Sequence, residues 1–328
     1  MAGEALSHEE RAIFRRYPPA GILLFARNVV SEPQLRALVA EIRAEAPEAL
    51  LAVDQEGGPV DRFRAIAGAS PSFAGASAAG AADLAGILAG EMCAAFAIDW
   101  DLAPVVDRAV EGAGRSVLRG RAPGESGEDA ADSGRAFLEG LAASGVAGCL
   151  KHFPGLGRAA VDSHVVLPTI GGDRRALDED LVPFRTLSRL APAVMISHAA
   201  VGASALPATL DPAIATDLLR GEVGVGGLSI SDDLEMGALA GFGSLPERAA
   251  SAFAAGCDFL CIGKDTAALP DAAAAVAGRS RPERLHEAGR RAAAFRGEVA
   301  RLRRERRLVP RAVPEIAAAF RRAAELLG

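Results

Sequence analysis

Along the chain, short apolar runs alternate with longer segments of helical periodicity. The runs are Gly21–Phe25, Leu50–Val53, Ala97–Leu102, Val146–Leu150, Ala193–Ser197, Leu228–Ser231 and Asp258–Ile262. Strands buried on both faces read as continuous apolar runs, and their alternation with helices implies a parallel sheet. Start signals mark the helices between them. Ser31 precedes Glu32-Pro33 and an apolar stripe of Leu35, Leu38, Val39 and Ile42, and Asp211-Pro212 opens another helix. Leu181, Phe184, Leu187 and Leu190 form a third stripe. After Ile262 everything reads as helix: Ala268–Ala277, Pro282–Arg304 and Pro314–Leu327.

Seven strand–helix units suggest a (β/α)8 barrel of the TIM type, which needs an eighth strand. The missing one cannot follow Ile262, so the first strand is absent or unrecognisable before Ser7. If it is absent, the strand at Ile22 becomes a sheet edge, which the early segment or a neighbouring chain is expected to shield. We expect residues 1–328 to form one barrel domain with C-terminal helices over about 266–328.

Composition narrows the class. Half of the 328 residues are hydrophobic and net charge is −6, with no basic tract interleaved with aromatics, so nucleic acid is not an expected partner. The run Arg301–Arg307 reads as the solvated face of a late helix. No run reaches the ~18 apolar residues of a membrane span, and the charged N-terminus lacks a signal-peptide core. A cytoplasmic protein, a monomer, is the expectation. Cys93, Cys149, Cys257 and Cys261 sit in apolar surroundings and read as buried reduced thiols. No second Cys/His pair completes a zinc set, so neither metal nor cofactor is expected.

The chemistry gathers where runs end. Asp54-Gln55-Glu56-Gly57-Gly58 and Asp61-Arg62-Phe63 follow the second run, and Val105-Val106-Asp107 with an Arg/Gly loop follows the third. The fourth delivers Lys151-His152, the fifth His198, and the sixth Asp232-Asp233. Lys151 stands out because 36 basic residues include only two lysines, Lys151 and Lys264, and a compact ammonium does not replace a guanidinium where donor geometry matters. Each residue has a bland reading: Asp54 or Asp233 as a helix cap, His198 as a core histidine. Together, polar groups at five successive strand ends match the C-terminal face of a barrel, where active sites lie.

VDQEGG with DRF, LAPVVD, KHFPG followed by DSH, and SDDLEM occur in that order and resemble the β-N-acetylhexosaminidase branch of glycoside hydrolase family 3. The similarity spans roughly residues 5 to 265. It implies a retaining glycosidase on a (β/α)8 barrel that removes terminal non-reducing N-acetylglucosamine, typically from muropeptides in peptidoglycan recycling. Asp232 then matches the nucleophile, His164 the acid/base and Asp162 its partner. Asp54, Arg62, Arg121, Lys151 and His152 match sugar-binding positions, with Asp54 accepting from hydroxyls and Lys151 and His152 donating. Arg115 competes with Arg121 for the loop-arginine role, and the longer motif and its spacing from Lys151 favour Arg121. Carbohydrate is the expected partner.

The chain departs from the family at Leu156, where a second histidine is usual, at Pro59 in place of an arginine, and at Pro123 in place of an aromatic. These departures bear on loop geometry and activity. A catalytically impaired homologue that binds amino sugar is therefore the alternative reading, and transfer of the glycosyl group to phosphate is a third. A metal-dependent hydrolase is disfavoured because no His-x-His pair ends a strand.

Overall fold

The computed structural model describes residues 1–110, 118–159, 161 and 166–327. Nine strands occur among them, and seven stand at the expected runs: β1 (Gly21–Leu24), β2 (Leu50–Val53), β3 (Trp100–Asp101), β4 (Cys149–Phe153), β6 (Ala193–Ile196), β8 (Leu228–Asp233) and β9 (Phe259–Cys261). The other two, β5 (Thr169–Ile170) and β7 (Ala200–Val201), pair with each other outside the main arc. All strand pairs are parallel. β1-β2-β3 and β4-β6-β8-β9 form two sheets, joined at β3 and β4 by the parallel bridges Trp100↔Ala147 and Val105↔Lys151. The result is a barrel wall of seven strands, with an opening between β1 and β9.

Local signals set the helices that return the chain from strand to strand. Ser31 Oγ accepts from Gln34 N at the start of Glu32–Glu45, and that helix buries Leu35, Leu38, Val39 and Ile42 as its stripe requires. Ser126 caps Gly127–Ala143 through Asp129 N. The helix of the third stripe runs Arg174–Leu187 from the cap Asp173, and it stops before Leu190, which is exposed. The segment after Asp211-Pro212, Ala213–Glu222, is a π-helix rather than an α-helix, with Asp211 Oδ1 accepting from Ala213 N.

Inside the barrel, alternate residues of the strands interleave: Leu50 and Ala52, Trp100 and Leu102, Ala147 and Cys149, Leu228 and Ile230. The helix Pro282–Arg304 stoppers the end of the barrel where the strands begin, setting Phe295, Val299 and Leu302 against this layer. The Trp100 and Phe295 rings meet edge-on at 4.7 Å between centroids. The helix Val313–Leu327 covers the cluster around Phe63 and Phe73. All four cysteines are buried and free.

One expectation needs correcting. The arginine-rich run is not simply a solvated face, because Arg303 reaches the buried carboxylate of Asp99, which also binds Arg43 and the amide of Leu51. Asp258 is served more heavily still. Arg220, Arg284 and Arg291 stand 2.9, 3.0 and 3.1 Å from its oxygens, and Ser229 adds its amide and hydroxyl. Removing the one carboxylate that three guanidinium groups share leaves buried charge uncompensated. Asp258→Ala should therefore cost about 3 kcal/mol of folding stability, read as a lower midpoint in urea unfolding; a loss under about 0.5 kcal/mol, the scale of a surface change, would contradict this reading.

Candidate active site

Parallel strands place their C-terminal ends on one face, and the polar residues collect there. β2 ends in Asp54-Gln55-Glu56, and Gly57 and Gly58 then reverse the chain at φ +89° and +57°. A side chain at Gly57 would meet Pro71 O at 2.2 Å, so only glycine fits this turn. The turn closes through Glu56 N and Gly57 N on Val60 O, both 3.1 Å, and it brings Arg62 back over β2. Gln55 fixes the arrangement from below: its amide donates to Asp101 Oδ1 at 2.8 Å, and its side-chain oxygen accepts from Arg62 N at 2.9 Å.

Five charged groups from three strand ends then interlock. Lys151 Nζ stands 2.8 Å from Asp54 Oδ1 and 2.5 Å from Glu56 Oε1. Arg121, on the segment after β3, grips Glu56 with Nε at 2.6 Å and Nη2 at 2.9 Å, the two-pronged geometry a guanidinium makes with a carboxylate. Arg62 Nη2 reaches Asp54 Oδ2 at 3.2 Å, and its guanidinium lies 5.5 Å from the centroid of the Phe25 ring. The Lys151 and Glu56 side chains are almost fully buried. Burial alone would push both carboxyls up and the ammonium down. The ion pairs outweigh it, holding Asp54 and Glu56 below the usual carboxylate range and Lys151 above the usual lysine value.

His152 lies beside this network, inside β4 rather than after it, because the strand runs three residues past the apolar run. A register shift against β6 between Leu150 and Phe153 goes with this placement. Its Nδ1 is 2.6 Å from Asp107 Oδ2. A carboxylate only accepts, so Nδ1 carries the hydrogen and Nε2, 3.3 Å from Arg121 Nη2, is an acceptor. His152 is thus held on both ring nitrogens, by Asp107 on one side and Arg121 on the other. The other oxygen of Asp107 takes the amides of His152 at 3.2 Å and Leu156 at 2.7 Å.

β8 carries Asp232 and Asp233 as its last residues. Asp233 is structural: Oδ1 accepts from Gly263 N at 3.0 Å and Glu235 N at 3.1 Å. His198 is a core histidine, fully buried, with Nε2 donating to Asp233 O at 2.8 Å and Nδ1 accepting from Thr209 Oγ1 at 2.7 Å. Burial lowers its pKa and keeps it neutral. Asp232 differs from both Asp54 and Glu56. It is half-buried, Oδ1 accepts from Asp233 N at 2.8 Å, and it has no ion pair among the described residues. Asp162, His164 and Arg115 lie outside the described residues.

Two comparisons of the sequence and one of the fold bear on this geometry. Residues 1–293 match the family model of the glycosyl hydrolase family 3 N terminal domain. The chain belongs to glycosyl hydrolase family 3. Among curated relatives, a protein named beta-hexosaminidase from Methylococcus capsulatus is 37% identical over 274 residues, 80% of each chain. One of the same name from Alkalilimnicola ehrlichii is 39% identical over 291 residues, 82% of this chain and 81% of that one. Among solved structures, NagZ from Neisseria gonorrhoeae in complex with N-trifluoroacetyl-D-glucosamine aligns with a TM-score of 0.82 at 30% identity, over 100% of this chain and 96% of that one. A family 3 beta-N-acetylglucosaminidase from Paenibacillus aligns with a TM-score of 0.86 at 29% identity, over 99% of this chain and 66% of that longer one. The family's fold is the (β/α)8 barrel expected from the pattern of runs.

The structure therefore brings Asp54, Arg62, Arg121, Lys151 and His152 together and sets Asp232 at a strand end on the same face. Reading the sequence for site residues missed Glu56 and Asp107, which sit inside the motifs that carried the resemblance. Their signal was position, two residues after Asp54 and five residues after Leu102, each just past a strand end.

Both network carboxyls titrate below their unfolded values near pH 4. The stability they contribute is present above that pH and is lost as pH falls through the folded values. Glu56→Gln removes one of them, so between about pH 4 and pH 2 the variant should lose less stability per pH unit than the wild type. Urea melts across that range check the slope, and an equal or steeper slope in Glu56→Gln would contradict it.

Proposed function

We propose that this family 3 hydrolase is a retaining exo-β-N-acetylglucosaminidase that cleaves terminal non-reducing N-acetylglucosamine through a covalent glycosyl-enzyme. The observation that carries the proposal is the division of labour among three carboxylates on one face. Asp54 and Glu56 are committed to cations that hold a rigid polar rim, whereas Asp232 has no counter-ion among the described residues. A neutral sugar needs adjacent donors and acceptors, and the rim offers both: Lys151, Arg121 and Arg62 donate, Asp54 accepts, and His152 stands beside them. The relatives named beta-hexosaminidase and the N-trifluoroacetyl-D-glucosamine bound to the Neisseria protein support an amino sugar as ligand.

In the first step the Asp232 carboxylate attacks the anomeric carbon as the glycosidic C–O bond breaks. His164 gives its proton to the departing oxygen, leaving a neutral imidazole. In the second step that imidazole takes a proton from water, the hydroxide oxygen bonds to the anomeric carbon, and the bond to Asp232 breaks. Asp162 orients the ring and stabilises its protonated form, as a carboxylate does toward a catalytic histidine. An imidazole, with an unperturbed pKa near 6.5, exchanges its proton close to neutrality. A muropeptide is the proposed natural substrate, met by a monomer inside the cell. Among the described residues no helix is long and apolar enough to cross a membrane.

Leu156 was the chief reason to consider an impaired relative. Its side chain is buried in an apolar cluster with Val105, Leu118, Ala122 and Ile170, and its amide keeps a bond to Asp107. Pro59 likewise packs at Gly120, next to Arg121. These contacts favour the active reading.

The test is turnover of a chromogenic β-N-acetylglucosaminide. Wild type should be active and Asp232→Ala should lose at least ~1,000-fold in kcat, as removal of a nucleophile does. A folded wild type that shows no turnover at any pH from 5 to 8 would refute the proposal. His164→Ala should slow glycosides with poor leaving groups far more than a nitrophenyl glycoside, which departs without a proton. Equal losses on both would remove His164 from the acid role.

A further inference from the structure

Three segments converge on one carboxylate outside the Lys151 cluster. Asp180 lies in the second turn of the helix Arg174–Leu187, and its side chain is buried. Its Oδ1 takes Arg108 Nη1, from the segment after β3, at 3.1 Å. Its Oδ2 takes Arg158, from the turn after β4, with Nε at 2.8 Å and Nη2 at 2.6 Å. The remaining nitrogen of Arg158, Nη1, donates to Gly171 O. Gly172 makes room for this approach: its φ of +105° suits glycine, and a Cβ there would run into Arg158 Nη1. Every guanidinium nitrogen of Arg158 is therefore committed within the fold.

Arg158 and Gly171 stand on either side of the stretch 159–170, which carries Asp162 and His164. Main-chain bonds mark the same two ends. Ala159 bridges Ile170 in antiparallel fashion, and its amide donates to Leu156 O at 2.9 Å. From the other side β5 pairs with β7, where Gly202 N donates to Ile170 O at 3.2 Å and Ala200 N to Pro168 O at 2.8 Å. Arg158 touches both ends at once and ties them to Asp180. The helix that bears Asp180 is itself fixed on β4, the Phe184 and Phe153 rings meeting edge-on at 5.2 Å between centroids.

We infer that Arg158 is a positioning residue for the acid/base step, tying both ends of the stretch that bears Asp162 and His164 to the carboxylate of Asp180. The inference rests on the role proposed for His164 above. Fixing the ends of a short chain removes part of its conformational freedom, and a displacement of about 1 Å at a reacting group can cost ~100-fold in rate. A lysine cannot replace this arginine fully, because one nitrogen cannot both pair with Asp180 and reach Gly171 O as the planar fork does. With all its nitrogens engaged, Arg158 acts on turnover rather than on substrate affinity.

The test compares wild type, Arg158→Ala and Arg158→Lys on two β-N-acetylglucosaminides, one with a poor leaving group and one a nitrophenyl glycoside. On the first, Arg158→Ala should lose at least ~10-fold in kcat with KM within ~2-fold. On the second, whose leaving group departs without a proton, kcat/KM should stay within ~3-fold. Arg158→Lys keeps a charge beside Asp180 and serves if the alanine variant fails to fold; it should lose ~3-fold or more in kcat on the first substrate. Amide exchange at Ala159 and Gly202 should be at least ~10-fold faster in Arg158→Ala, with β2 and β6 unchanged. Equal losses on both substrates, a loss confined to KM, or unchanged exchange would each overturn the inference, and an active wild type would leave the hydrolase reading intact. A folded wild type without turnover would refute that reading and take the inference with it.

Discussion

The candidate site depends on one buried ammonium. Lys151 sits between Asp54 and Glu56, and through them it fixes Arg62 and Arg121, so that β2, the segment after β3, and β4 share one charged cluster. Buried ion pairs are weak evidence of net stability, because desolvation offsets most of the attraction. What they contribute is direction. Each group in the cluster has a partner that limits where it can point, and a ligand meets donors and acceptors already aimed. A guanidinium at position 151 would not fit between two carboxylates 2.8 and 2.5 Å away on one nitrogen, which gives a physical reason for one of only two lysines in a chain that otherwise uses arginine.

That cluster is possible because parallel strands end together and because the layer beneath is tightly specified. Gln55 is tied to Asp101, whose carboxyl burial pushes well up, and His152 is tied to Asp107. On the far side of the barrel the same logic holds Asp232. His198 and Thr209 fix the backbone of Asp233, and Asp233 fixes the turn to Gly263, so the neighbouring Asp232 needs no ion pair of its own to be placed. Pairing on one side and backbone anchoring on the other let carboxylates of one pocket differ in what they can do.

Much of this was legible in the chain. Runs of mainly apolar residues marked the seven wall strands because such strands are covered on both faces, and Ser31 and Pro282 marked helix starts through local rules. The ends of β4 and β8 were misplaced by two or three residues, since Lys151, His152, Asp232 and Asp233 are polar and still lie in strands. Glu56 was passed over because nothing local distinguishes it from a solvated acid; only its partners at positions 121 and 151 give it meaning. Arg303 misled for the same reason, its partner Asp99 being far away in sequence. The π-helix at Ala213–Glu222 has no local signal that separates it from an α-helix.

Leu156 shows how a departure from a family pattern can leave a loop root intact. A histidine there would contribute a polar side chain, and its loss suggests a loosened loop. Yet the bond that ties this turn to the site runs from the amide of residue 156 to Asp107, and any residue but proline supplies it. The side chain instead joins Val105, Leu118 and Ala159, so apolar contact replaces a polar one. Two residues on, Arg158 and, from the β3 side, Arg108 both grip the buried carboxylate of Asp180 at 2.6 and 3.1 Å, closing the turn against the helix Arg174–Leu187. The turn is thus anchored through its backbone, its apolar face and its charge at once. A single side-chain change of polarity removes at most one of these anchors, and here it strengthens another.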